Sequence, residues 1–147
     1  MSKKRIVLLV VVVLVISGGI YAWREYNRGM KDLDSVNADL EANAIILIQD
    51  FTANETAANK RYQDKIVAVK GMVKSVTKTD NTFTVVMGDT ADMSSVRCLI
   101  DSTHVEGVSG LQRGAIVTIK GALTGFKKDE TGLLGSDVEL NRCVLQH

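Results

Sequence analysis

The chain has no proline, two cysteines (Cys98 and Cys143), two histidines (His104 and His147) and seven aromatic residues. Two cysteines exclude a disulfide-dense miniature scaffold, which needs several bridges to replace a core. Metal binding lacks material: two thiolates would need two further donors, and neither histidine has ligands beside it. No nucleophile or acid motif surrounds His104, and no cofactor pattern is present, so the sequence points away from an enzyme. The Gly88–Asp92 loop offers two acids without the repeating oxygen ligands of a calcium loop. Disorder is excluded for most of the 147 residues by the 46% hydrophobic content, and the length allows one ordinary domain plus an appendage.

Charge is missing altogether from Ile6 to Trp23 (IVLLVVVVLVISGGIYAW), 18 residues long. As a helix it would reach about 27 Å, close to a hydrocarbon core of ~30 Å. Lys3, Lys4 and Arg5 precede it and favour a cytoplasmic N-terminus. Tyr21, Trp23 and Tyr26 stand where an aromatic belt would meet the far headgroups. The reading is an uncleaved signal-anchor at residues 6–23, with a cleaved signal peptide as the alternative. Either places the remaining chain outside the cytoplasm. No cysteine follows the segment, so a lipid-modified N-terminus is not expected. Residues 1–29 carry five basic residues and one acid, and the rest of the chain 13 basic and 16 acidic.

Three parts follow from the pattern: the anchor and its juncture (1–29), a helical extension (30–64) and a β region (65–147). Val36, Leu40, Ala44, Leu47 and Phe51 recur at helical spacing, which predicts a helix from Ser35 with Ser35 or Asp34 as its N-cap. Asn54 restarts a second short helix, with Ala57, Ala58 and Tyr62 as its packing face. From Lys65 the period becomes two. Strands are predicted at 65–77, 82–87, 95–100, 115–123 and 137–145, with a single helical turn allowed for within 102–113 and a solvated hairpin loop at 124–135. Gly71 (VAVKGMV) and Gly121 (VTIKGAL) lie inside strands, where glycine marks a bulge or the bend at a barrel corner. Five strands interrupted between the third and fourth give a mainly β fold, a five-stranded OB-fold Greek-key barrel, with an N-terminal helical extension and one transmembrane helix.

With those strands placed, the residues resemble a known family. The stretch Phe51 to Tyr62 (FTANETAANKRY), then Lys65 to Gly71 (KIVAVKG), is similar to the bacterial tRNA-anti-like family of small OB-fold proteins. Val96 to Cys98, Leu111 to Gly121 (LQRGAIVTIKG) and Asp137 to Leu145 (DVELNRCVL) agree with it. The resemblance spans about residues 40–145. It implies an OB barrel with a helical extension, secreted, lipidated or membrane-anchored, and brings no catalytic motif. The expected location is the bacterial inner (cytoplasmic) membrane, single-pass, with the C-terminal part extracytoplasmic.

Cys98 and Cys143 fall on the third and fifth predicted strands, which meet near the closure of an OB barrel. One disulfide is expected between them; the alternative is two buried thiols acting as apolar fillers. The ligand-binding candidates are Lys70, Lys74 and Lys120 with Phe83 and Phe126. Against that stands a structural use: lysines solvating outer strand faces, and Phe83 in the core beside Val85 and Met87. The expected function is a non-catalytic, membrane-tethered binding module whose ligand is a protein or another extended molecule, held over the second and third strands. The alternative is a nucleic-acid-binding OB protein. It is disfavoured because residues 65–147 carry ten basic and nine acidic residues and few rings on which bases could stack.

Overall fold

The computed structural model describes residues 3–26 and 32–147. The chain divides into two compact units, with the boundary between Asp32 and Leu33. The first is one helix, α1 (Lys3–Tyr26), of 24 residues. At ~1.5 Å per residue it is about 36 Å long, enough to cross a hydrocarbon core of ~30 Å. Its apolar side chains are exposed on every side. The Ser17 hydroxyl donates to the Val13 carbonyl at 2.7 Å, so this polar group is satisfied within the helix. The expected span, 6–23, lies inside α1. The residues of the expected juncture from 27 to 31 lie outside the described residues, as does the side chain of Tyr26.

The second unit holds β1 (Leu40–Asn43), α2 (Ala44–Ala53), α3 (Glu55–Tyr62), β2 (Ile66–Thr79), β3 (Thr82–Met87), β4 (Ser95–Ile100), β5 (Ile116–Lys127) and β6 (Asp137–Gln146). Neighbouring strands run β1–β2–β3–β4–β6–β5, and β5 pairs back onto β2. Five strands thereby close: β4 and β6 are parallel, and the other contacts of the ring are antiparallel. This is the five-stranded barrel expected from the period of two. Residues 102–113 form successive turns around the buried Val108, with no helix.

The extension departs from expectation. Leu40 and Ala44 fit a helical stripe, yet Leu40 belongs to a strand running parallel to β2. β2 is long, and β3 covers only its second half; β1 fills the edge left free along the first half. Asp39 clamps the start of that pairing, its backbone N–H donating to the Ile66 carbonyl at 2.8 Å and its carboxylate accepting from the Ile66 N–H at 2.9 Å. The first helix therefore begins nine residues after Ser35, capped by Asn43, whose side chain accepts from the Ile45 N–H. The restart at Asn54 is as expected: its side chain accepts from the Ala57 N–H and caps α3.

α2 buries Ala44, Leu47, Ile48 and Phe51, one helical face, into the core it shares with the barrel strands. Phe51 stacks on Phe126 at 5.1 Å and on Tyr62 at 6.0 Å. The Tyr62 hydroxyl donates to Asp50 at 2.7 Å; burial first, and then the Asp50 carboxylate, raises its pKa above the usual phenol value. Gly71 proves special for a reason other than bending. The β2–β5 register runs through it without a shift, and a Cβ there would lie 2.6 Å from the Ala44 Cβ. Its bare backbone is the seat of α2. Gly121 does sit at a register shift of β5 against β6, and a Cβ there would lie 2.5 Å from the Cys143 sulfur.

Candidate functional site

Two outward faces of the barrel can receive a ligand. The first, over β3 and β4, is the face the sequence suggested. Thr84, Arg97, Leu99, Glu139 and Asn141 line a shallow recess of about 250 Å³ there. Its charges are already partnered: Arg97 Nε meets Asp137 at 2.6 Å and Lys127 Nζ meets Glu139 at 2.6 Å. No phenyl or phenol ring is exposed on the second unit. Phe51 and Tyr62 are buried, and Phe83 and Phe126 are half-buried against the core. Phe126 is engaged by Phe51, and the Lys78 ammonium stands 5.4 Å from the centre of the Phe83 ring. Neither expected aromatic is a free stacking platform.

The second face covers β1, β2, β5 and β6. The register aligns Asn43, Lys70, Thr118 and Gln146 in one row across the four strands. A recess of about 560 Å³ lies over this row and is bounded by Glu41. A neighbouring recess of about 350 Å³ shares Asn43 and Lys70 and is walled by Ile45, Met72 and Ile116, with Asp89 at its rim. Ile116 is 67% exposed, a large apolar side chain left in water at the end of a strand. Lys70 makes no ion pair among the described residues.

The structure thus separates the predicted lysines. Lys70 stands in the larger recess. Lys120, adjacent on the same sheet, is buried, and its ammonium donates to the carbonyls of Asp34 at 3.1 Å and Val36 at 2.7 Å. It straps the segment before β1 onto the barrel and is not available to a ligand. Lys74 donates to the carbonyls of Asp92 and Ser94 and to the Ser95 hydroxyl, pinning the loop between β3 and β4. The acids of that loop accept from main-chain N–H groups two residues on, Asp89 from Ala91 and Asp92 from Ser94. Asp129 does the same on a larger scale between β5 and β6. Its carboxylate accepts from Thr131, Leu134 and Gly135, which holds its pKa down at about 2. Cys98 and Cys143, the pair expected to form a disulfide, are both buried, with no bond drawn between them in this structure. Sequence reasoning missed Glu41, Asn43, Met72 and Ile116, because the second face exists only once β1 is recognised as a strand.

The fold recurs in proteins of known structure. A lipoprotein from Klebsiella pneumoniae subsp. pneumoniae, described as a candidate nucleic acid binder, superposes with a TM-score of 0.56 at 19% identity, over 82% of this chain and 100% of that one. Asparaginyl-tRNA synthetase from Pyrococcus horikoshii matches over 58% of this chain at 18% identity and a TM-score of 0.41, and this chain spans 20% of its length. Aspartyl-tRNA synthetase from Entamoeba histolytica gives a TM-score of 0.43 at 16% identity, over 58% of this chain and 19% of that one. At such identities these likenesses speak of fold alone. No curated protein matches the sequence. The tRNA_anti-like family model matches residues 1–136, a span that takes in α1 as well as most of the barrel and stops at the start of β6, and the chain belongs to that family.

Proposed function

We propose that this protein is a non-catalytic binding module of the bacterial cell envelope, tethered by α1 with the barrel outside the cytoplasm, and that it holds an extended polypeptide on the β1–β2–β5 face. One observation carries the reading: two adjoining recesses share Asn43 and the unpaired Lys70, one bounded by Glu41 and the other walled by Ile45, Met72 and Ile116. Two acids, Glu41 and Asp89, flank Lys70 and an apolar recess, and His147 also lines the larger recess. That pattern suits a peptide with an apolar anchor and charges of both signs, and it repels a uniform polyanion. Peptides that lodge in grooves use such an anchor for affinity and the rim charges for register. Anchoring rests on the length and composition of α1 and on the Klebsiella neighbour's being a lipoprotein.

The comparisons favour a second reading, a single-strand nucleic-acid binder, since the Klebsiella neighbour is described as a candidate for that role. Its site would be the β3–β4 face, where OB barrels hold oligonucleotides. One experiment separates the two. A library of unstructured peptides is screened against the full chain in detergent, and the binders are re-measured on Lys70→Glu, Ile116→Asp and Arg97→Glu. Peptides lost on the first two and retained on Arg97→Glu support the groove. An absence of peptide binders, with single-stranded RNA or DNA bound and lost on Arg97→Glu, establishes the second reading instead.

A further inference from the structure

We infer that Cys98 and Cys143 are joined by a disulfide in the mature protein, across the parallel seam where β4 meets β6. The inference rests on the extracytoplasmic location proposed above. Both cysteines are fully buried and belong to the core from the neighbouring strands β4 and β6. Two unusual local features put the second sulfur there. The β4–β6 ladder slips between Cys98, opposite Leu140, and Ile100, opposite Cys143. Within that slip Arg142 takes φ 54°, a left-handed conformation that non-glycine residues adopt at a cost. The irregularity lets Leu140 and Cys143, three residues apart, both face the core. On the neighbouring strand, any side chain at Gly121 would begin 2.5 Å from the Cys143 sulfur. A left-handed arginine and a missing side chain thus converge on one sulfur position.

The reaction is a two-electron exchange. One cysteine thiolate attacks the disulfide of a dithiol–disulfide oxidant, forming a mixed disulfide and releasing one oxidant thiol. The second cysteine thiolate then displaces the other oxidant thiol. The cysteines lose two protons and two electrons, and the oxidant's disulfide becomes two thiols. In the closed barrel, burial foremost and Cys98 second push the Cys143 thiol well up, which disfavours the attacking thiolate. Exchange therefore belongs to folding, before β6 seals the core. The finished bond is out of reach of soluble reductants. It would close a loop of about 45 residues and so restrict the unfolded chain. It also fastens the β2–β3–β4 meander to the β5–β6 hairpin at one of their two seams.

The test uses the full chain extracted from membranes, denatured without reductant and alkylated, with the added groups counted by mass. No added group before reduction and two after it is the expected result. Two groups before reduction overturn the bond. A reporter fused after His147 that functions only outside the cytoplasm keeps the two readings apart. Reporter activity with two free thiols rejects the disulfide and leaves the location standing, whereas an inactive reporter removes the location and the disulfide with it. In a second arm the reduced chain is refolded with a mixture of reduced and oxidised glutathione. The bond is expected to form and to raise the melting temperature by roughly 10 °C. Failure to form it there contradicts the geometry whatever the compartment.

Discussion

The β3–β4 face and the β1–β2–β5 face are both polar and both carry lysine or arginine, but they are built differently. On the first, Arg97 and Lys127 are matched to Asp137 and Glu139. On the second, Lys120 is spent holding main-chain carbonyls while Lys70, one strand over, is left without an ion-pair partner. Counting basic residues therefore misjudges both faces. What a cation can offer a ligand is decided by what it already holds. The second face also owes its existence to the extension: β1 supplies Glu41 and Asn43, α2 supplies Ile45, and both depend on contacts that the barrel strands do not make among themselves.

The comparison breaks most severely at the seat of α2. Gly71→Val forces a branched side chain against Ala44, and overpacking there is expected to cost about 3 kcal/mol, roughly 12 °C in melting temperature. An unchanged melting temperature by calorimetry would mean that α2 does not rest on Gly71. Next comes the strap. Lys120→Met removes the donor from two carbonyls and is expected to cost about 1–3 kcal/mol. Hydrogen exchange should quicken at residues 36–43 and in the first half of β2 while β3 and β4 keep their protection. Uniform quickening would show that the two faces do not have separate supports.

How much of this could be read beforehand follows from where the information lies. The barrel strands were legible because alternation and turn residues are local signals. So was the restart at Asn54, a cap acting three residues away. β1 was not, because Leu40, Ala44 and Leu47 satisfy a helical period and the pairing that overrides it comes from Val67 to Lys70, 27 residues downstream. Gly71 announced itself as a special position, though the helix it admits could not be seen in its neighbours. The roles of Lys74 and Lys120 were hidden for a different reason. Both hold carbonyl groups, and a carbonyl leaves no mark in the sequence.

A smaller effect sharpens the account of the loop beside the β3–β4 face. The Asp129 carboxyl, held at about 2 by its hydrogen bonds, lies below the ordinary aspartate value of 3.8. A depressed folded pKa means that the order it confers is present above the ordinary value and is lost as pH falls through about 2. Amide signals of Leu134 and Gly135 should hold their positions from pH 7 to pH 4 and move only in stronger acid. A transition near pH 4 would mean that the loop is not organised by this carboxylate. Asp129→Asn should loosen the same amides at neutral pH without altering peptide binding at Lys70.

The central claim is that neither face suits a polyanion, and salt-dependent titration of labelled single-stranded RNA and DNA tests it most directly. Binding to phosphates draws its strength from released counterions and, in OB barrels, from bases stacked on exposed rings. With the cations of the β3–β4 face paired and no exposed phenyl or phenol ring on the second unit, the account predicts no binding tighter than about 100 μM near physiological salt. Micromolar or tighter binding that weakens with added salt and disappears on Arg97→Glu or Lys70→Glu would contradict it.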